Sequence, residues 1–477
     1  MAAVLCFAPF ELYLLAPPLL FGLFLLLGRA EDGRSAALAG ATFGGGLMLA
    51  GASWIYVSLH DVGGMPAPVA ALAVLALALV VAVFPAVSGW LFWRLGQHWQ
   101  ARHGQSPGPL RRALWFAVLF ALADWWRTWF LTGFPWLLLG YTQAPPSPLA
   151  AWGAILGVHG LGLLLLLTSA LWCRWRVGLP ASLLFWGVAF LLSGISWTVP
   201  DGVPLRYSLV QGNVAQDLKF QPDRLFATLN RYREMANAAN GQLVVLPETA
   251  LPVFVDQLDE DYLDGLTAGV RARGGDLLVG VVSADGRRYF NSALSLGASP
   301  SQIYRKTHLV PFGEFIPPGF RWFVEMANIP LGEFARGDAV QPPLALAGTR
   351  VAVNICYEDV FGEELRAAAG GAGVMVNLTN TAWFGHSLAQ PQHLQMARLR
   401  AVEAGRPLLR ATNTGVTAAI DAQGRLLGVL PEFSLAILQG EVQPMQGQTP
   451  YLRFGNLGFF LLAGVLMLLG SRRFNRA

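Results

Sequence analysis

Charge is scarce in this sequence: Asp, Glu, Lys and Arg together make up 13% of its 477 residues, where soluble domains carry about 25%. Hydrophobic residues reach 54%, above the roughly 45–50% usual in such domains. The two figures exclude an ordinary soluble chain and point to a membrane protein. Cysteine is scarcer still, with three residues. Cys6 and Cys173 fall in or beside apolar segments, so Cys356 has no partner between residues 200 and 450 and a disulfide within that stretch is excluded. Lys and Arg are missing around residues 59 to 66 and 132 to 149. The net charge of +4 resides mostly in other loops and in the C-terminal "SRRFNR", and implies no nucleic-acid surface. The opening "MAAVLCFAP" lacks the basic start and small-residue cleavage pattern of a secretory signal, and is too short to span a bilayer.

What is present divides into two regimes. A helix crossing a hydrocarbon core of about 30 Å needs about 20 mostly apolar residues. Runs of that kind lie near residues 10–28, 36–58, 67–95, 112–131, 150–172, 178–197 and 454–471, and seven spans are expected. Arg29 and Arg34, then Arg94, Arg102, Arg111 and Arg112, then Arg174 and Arg176, fall in alternate loops. Basic short loops stay on the cytoplasmic side. That alternation puts residues 200–450 outside the cytoplasm and returns the last helix to a cytoplasmic tail. The expected organisation is therefore 1–199 membrane helices, 200–450 an extracytoplasmic domain, and 451–477 a final helix with a short tail. Asp124 and Arg127 in "ALADWWRTWF" read as an i,i+3 pair near an interface, where tryptophan is favoured, with a membrane ion path as the alternative.

Between residues 200 and 450, short β-branched runs alternate with helical patterns: "LRYSLVQGN", "QLVVLPETA", "GDLLVGVVSA", "TRVAVNICYED", "GVMVNLTNTAWFG". Continuous apolar runs ending in a polar residue suit strands buried on both faces, and such sheets carry chemistry at the carboxyl ends of their strands. Glu248, Cys356 and Asn377 stand at ends of that kind. Lys306 precedes a Pro-Phe-Gly turn in "YRKTHLVPFGEF", an awkward place for a solvated lysine. Taken singly, these residues have plainer readings: a buried thiol acting as a small hydrophobe, a strand-end cap, a surface charge. Taken together, they supply acyl transfer through a thiol. A carboxylate takes the thiol proton, and an ammonium favours the thiolate and then the tetrahedral oxyanion. His308, His386 and His393 lack zinc-ligand spacing.

The order Glu248 in "LPETA", Lys306 in "YRKTHLVPFGEF" and Cys356 in "NICYED" resembles the Glu-Lys-Cys triad of the nitrilase superfamily. With the membrane helices and the stretches "WIYVSLHDVGGMP", "LTGFPWLLLGYTQ" and "HLQMARLRAVEAGRPLLRATNTGVTA", the chain resembles the apolipoprotein N-acyltransferases from about residue 5 to 470. The resemblance implies a polytopic helical membrane domain joined to an extracytoplasmic α/β domain of αββα sandwich type, in the inner membrane with the α/β domain in the periplasm. It implies that Cys356 takes an acyl chain from a phospholipid such as phosphatidylethanolamine, and that the α-amino group of a diacylglyceryl-modified lipoprotein cysteine receives it. Neither metal nor cofactor is required, and a monomer suffices. Glu248 carries over as base and Lys306 as oxyanion stabiliser with the backbone N–H after Cys356. Glu314 carries over as the glutamate holding the lysine, and Tyr357 and Glu358 as residues flanking the nucleophile.

Three departures accompany the likeness. Phe220 stands where the family often has Trp, keeping an aromatic wall for lipid contact but losing an indole donor. Thr381 stands where Asp is usual. The sequence begins inside what is normally the family's complete first helix, so seven spans and a stub are expected where the family has eight. Residues 315–334 read as a mobile lid or membrane-resting arm, with Trp383 and Phe384 on the same rim facing lipid or acyl chain. A membrane-tethered amidase with the same triad is the alternative. It would hydrolyse a small amide to free acid rather than transfer to an amine. A transporter would need polar or broken helices at mid-membrane, of which these spans show little.

Overall fold

The computed structural model describes residues 1–216, 221–319, 321 and 333–472. The chain forms two compact units, one of Met1–Tyr56, Ala67–Ser196 and Phe454–Ala477, the other of Val57–Pro66 and Trp197–Arg453.

The first unit is helical. Among the described residues, Ala67–His103, Pro148–Cys173 and Trp175–Ser193 are long and apolar enough to cross a membrane, and a fourth candidate is the pair Gly33–Gly51 and Trp54–Val62, bent by 49°. Tyr13–Gly28 and Leu457–Ser471 are apolar but shorter. The expected 112–131 run folds as the helix Pro109–Trp126, which carries Arg111, Arg112 and Asp124. Fewer helices than the seven expected spans thus meet the length and composition of a crossing helix by themselves. The differences have local causes. The first α-helix starts at Ala16 rather than near residue 10 because Pro17 and Pro18 occupy its first turn, where their missing N–H groups cost nothing. The second is started by Asp32, whose side chain accepts from the Ser35 N–H at 2.7 Å. The 67–95 run continues to His103 because no residue breaks the helix before Gly104, at φ +68°. Helices Gly33–Gly51 and Ala67–His103 pack backbone to backbone at glycines. A Cβ on Gly40 would lie 2.0 Å from the Pro85 carbonyl oxygen, and one on Gly89 2.2 Å from that of Ala36. Small residues at such crossings are how apolar helices associate where no hydrophobic force drives them.

The Asp124–Arg127 pair is made, at 3.1 Å. The remaining guanidinium donors reach the carbonyls of Phe134, Trp136 and Leu137, and the second Asp124 oxygen accepts from the Leu139 N–H. The pair secures the chain after the helix, with every one of those partners uncharged.

The second unit is an α/β sandwich. Its strands, in chain order, are β1 (Thr198–Pro200), β2 (Leu205–Gln211), β3 (Leu243–Val245), β4 (Asp276–Asp285), β5 (Arg288–Gly297), β6 (Gln302–Arg305) and β7 (Leu344–Leu346). They continue with β8 (Thr349–Ile355), β9 (Val374–Thr379), β10 (Leu408–Thr412), β11 (Ala418–Ile420), β12 (Leu426–Val429), β13 (Ala436–Val442) and β14 (Met445–Gly447). One six-stranded sheet has the order β13-β2-β3-β4-β5-β6, the other β12-β11-β10-β9-β8-β7. Ahead of Glu248, β3 runs parallel between β2 and β4, and ahead of Cys356, β8 runs parallel to β9 and β9 to β10, whereas β6 ahead of Lys306 is antiparallel to β5, and β7 antiparallel to β8.

The sheets share one apolar layer, in which Leu209, Val245 and Leu278 meet Val353, Ile355, Val376 and Leu409. Outside the first sheet, Tyr232, Leu266 and Val270 of helices Pro222–Ala238 and Glu260–Ala272 cover Val244, Leu277 and Val279. Outside the second, Ala369, Ala397 and Ala401 of helices Gly362–Gly370 and Ala389–Ala404 cover Ala352, Met375 and Leu408. The layering is the expected αββα sandwich. Each fully buried Val, Leu or Ile contributes about 1.5–3 kcal/mol, so burial on both faces holds the strand ends in place.

Candidate active site

Cys356 follows the last residue of β8. There the chain turns through φ +53° into a short 3-10 helix, Cys356–Val360. A non-glycine residue in the left-handed region costs about 1–3 kcal/mol and persists only where its surroundings dictate it. They do so here from both sides. The Glu358 carboxylate accepts from the Ile355 N–H at 2.7 Å, and the Asn377 amide donates to the Cys356 carbonyl at 3.1 Å.

Lys306 follows β6 and continues its pairing, its N–H donating to the Asn291 carbonyl at 2.8 Å. The side chain is buried, and its ammonium donates to Glu248 at 3.2 Å and to Glu314 at 2.9 Å. Glu248 sits just past β3. Its second oxygen accepts from the Asn380 N–H at 2.8 Å. Glu314 lies in the "PFGEF" turn, where it also accepts from the Val310 N–H at 2.8 Å. One further side chain completes the group. Asn291, inside β5, donates to both carboxylates, at 2.7 Å each. Two carboxylates side by side repel one another, and the shared cation and shared amide donor offset that repulsion.

Burial alone would push the Lys306 ammonium down, but Glu248 and Glu314 outweigh it and hold the group above its usual range. Burial pushes the Cys356 thiol well up, Glu248 pushes it further, and Lys306 only partly opposes them. The ammonium favours the thiolate, as expected, but burial and Glu248 outweigh it. The resting group is a thiol, and its proton must be removed by a base when it reacts.

Glu358 points back into the protein. Its carboxylate accepts from the N–H groups of Thr307 (2.6 Å), His308 (3.0 Å) and Ile355 (2.7 Å), and from the Tyr304 hydroxyl (2.9 Å). Burial pushes it up to about 7 against the pull of Lys306 and those N–H donors. One side chain thus ties the backbone after Lys306 to the backbone before Cys356. Tyr357 packs against His308 and Phe361. The chain after the "PFGEF" turn is secured as well. The Phe334 N–H donates to the Glu314 carbonyl at 2.9 Å and the Gly337 N–H to that of Lys306 at 2.8 Å.

The structure brings Glu248, Lys306, Glu314, Cys356 and Glu358 together. Asn377 is placed otherwise than expected, inside β9 and opposite Asn354, so that it underlies the Cys356 turn. The strand-end residue that reaches Glu248 is Asn380. Trp383 and Phe384 lie on the short helix Ala382–Phe384. Trp383 is 39% exposed, and its carbonyl accepts from the Ser58 hydroxyl at 2.7 Å. Thr381 is buried, with no partner for its hydroxyl among the described residues. Phe220 lies outside the described residues, as does most of the 315–334 stretch. His308 contacts Glu364, His386 lies on Phe433, and His393 contacts Asp359. Among the described residues no group of His, Cys, Asp and Glu is arranged to hold a metal ion.

The chain is similar to known proteins over nearly its whole length. Residues 206–451 match the carbon-nitrogen hydrolase family, and residues 1–171 match the apolipoprotein N-acyltransferase N-terminal domain. An apolipoprotein N-acyltransferase of Nitrosomonas europaea is 46% identical, across 98% of this chain and 95% of its own. Those of Chromobacterium violaceum and Ralstonia nicotianae are 42% and 43% identical, across 97% and 98% of this chain and 90% of each of theirs.

Proposed function

The chain belongs to the apolipoprotein N-acyltransferase family, and from that premise we propose how the Glu248–Lys306–Cys356 cluster moves an acyl chain between two lipids. The protein is a membrane acyltransferase that transfers an acyl chain from a phospholipid to the α-amino group of the diacylglyceryl-cysteine at a lipoprotein N-terminus. Hydrolysis of a small amide is not favoured, because the match extends through the N-terminal domain of the acyltransferases. In our reading Glu248 takes the Cys356 proton as sulfur attacks the carbonyl carbon of the phospholipid's sn-1 ester. Negative charge develops on the carbonyl oxygen, where the Lys306 ammonium and the Tyr357 N–H receive it. Collapse breaks the ester C–O bond, and Glu248 returns its proton to the departing lysophospholipid alkoxide. The lipoprotein amine then attacks the thioester, Glu248 takes its proton, and Cys356 leaves and is reprotonated. Glu314 and Asn291 hold Lys306 and Glu248 in register throughout.

The observation that carries this reading is the buried ammonium held by two carboxylates beside a thiol at a strained strand end. It is tested by the intact mass of a lipoprotein N-terminal peptide incubated with the purified protein and phospholipid. A gain of one acyl chain is expected. An unchanged peptide together with free fatty acid would sink the reading in favour of a hydrolase.

The donor in this reading is phosphatidylethanolamine, the protein acts as a monomer, and the acyl chain runs along Trp383 and Phe384. Residues 197–453 face the periplasm from the inner membrane, as the arginine-bearing loops argue. A cysteine at exposed Asp61, in a background lacking Cys6, Cys173 and Cys356, is expected to react with an impermeant thiol reagent added to spheroplasts. One at exposed Ser106 is not. The reverse pattern would invert the orientation. Asp61 suits the experiment better than Ser147 in the other arginine-free loop, which is buried.

A further inference from the structure

The mechanism leaves a buried polar group beneath Cys356 unused. Arg410 of β10, Asn377 of β9 and Asn354 of β8 stand side by side in register on the helix-covered face of their sheet. Arg410 and Asn377 are entirely buried. Asp359 accepts from Arg410 at 2.8 Å and contacts His393 Nε2 at 2.5 Å, while His393 Nδ1 lies 2.8 Å from the second Arg410 nitrogen. Asp359 and His393 thus fix the guanidinium from two sides. Its first nitrogen also donates to Asn377 Oδ1 at 3.1 Å, and the Thr379 hydroxyl donates to the same oxygen at 2.7 Å.

A guanidinium carries only donors. The Asn377 oxygen must therefore face Arg410, and its NH2 must face the other way, toward the Cys356 carbonyl at 3.1 Å. That carbonyl belongs to the peptide whose N–H is the Tyr357 N–H. A trans peptide is planar, with its C=O and N–H pointing in opposite directions. Holding the carbonyl on Asn377 consequently turns the Tyr357 N–H away from the sheet.

We propose that Asn377, aimed by Arg410, is a positioning residue that locks the Cys356–Tyr357 peptide plane and thereby directs the Tyr357 N–H at the developing oxyanion. The inference rests on the acyl-transfer reading above and adds to it what aims the backbone donor. Asp359 and His393 serve the same plane one step further out. No bond to carbon changes in this role; the two residues set a direction.

Two reactions of Cys356 separate this role from a merely structural one. Acylation by phospholipid passes through a tetrahedral oxyanion, whereas alkylation by iodoacetamide needs the thiol proton removed but forms none. Asn377→Leu is similar in volume, uncharged and unable to donate. It is expected to slow single-turnover acylation by on the order of 10²-fold, the cost of losing one oxyanion donor. Its alkylation rate and its KM for phospholipid should stay at the wild-type values. Asn377→Ser keeps an acceptor for Arg410 but is too short to hold the carbonyl, and should behave in the same way. It decides the question should the leucine variant fail to assemble. Rates that fall together, or acylation that does not fall in either variant, would overturn the proposal. So would alkylation that accelerates in both, since the turn itself would then have opened. A wild-type protein that takes no acyl group from phospholipid would instead remove the reading on which the inference stands.

Discussion

Incubated with phospholipid and no acceptor, the purified protein is expected to gain the mass of one acyl chain on Cys356, removable by neutral hydroxylamine as thioesters are. Cys356→Ala should gain none. Cys356→Ser should not turn over either. The surroundings already push the more acidic thiol upward, and Glu248 is too weak a base to draw a proton from a serine hydroxyl in the same place. With both substrates supplied, initial-rate plots should be parallel, since lysophospholipid leaves before the lipoprotein amine attacks. Intersecting lines without an adduct would falsify the covalent route. An alanine variant that still transferred acyl groups would return Cys356 to the status of a buried apolar residue.

Glu248→Gln should lower acyl-enzyme formation by at least about 10²-fold, the usual loss on removing a general base. The variant should still fold. Removing one partner of a buried ion pair commonly costs about 3–5 kcal/mol because a charge is left alone, but Lys306 keeps Glu314 at 2.9 Å. Glutamine keeps one amide oxygen, which can still accept from the Asn291 amide or from the Asn380 N–H, though not from both, since these reach different oxygens of Glu248. Lys306→Arg should fail by a different route. The lysine is 1% exposed, so the larger planar guanidinium overfills its site, and it cannot replace a compact ammonium between two carboxylates and an oxyanion. The measurement is the burst of thioester in a single turnover, alongside thermal unfolding. A burst of wild-type size in either variant removes that residue from the mechanism.

Much of this site was legible before any fold was known. β3 and the Val351–Val353 stretch of β8 are buried on both faces, so they read as apolar runs, and Glu248 and Cys356 stood out as residues able to do chemistry just beyond them. Lys306 announced itself by its setting; it is also one of two lysines in the chain, with Lys219. Asn291 could not be found in this way. It lies within β5, and it meets the carboxylates because Ser292 pairs with Arg305 across the β5–β6 hairpin, a register that no local pattern states. Asn377 was noticed for the wrong reason. Counting along the strand put it at the edge, but alignment with Asn354 sets it beneath the turn. The pull of a neighbouring ammonium on the thiol could be inferred from sequence, whereas the burial beside a carboxylate that outweighs it is a property of the assembled core.

The Glu358 bracket bears on how such a chain can drift in sequence. Lys306 and Cys356 are fifty positions apart in number, yet both are fastened through adjoining backbone to one carboxylate. The chain that leaves Lys306 also returns to it, through Phe334 on Glu314 and Gly337 on Lys306 itself. The two ends of the intervening chain, Glu314 and Phe334, are therefore fastened to each other beside Lys306. Insertions, deletions and wholesale replacement there can accumulate without moving the reacting groups.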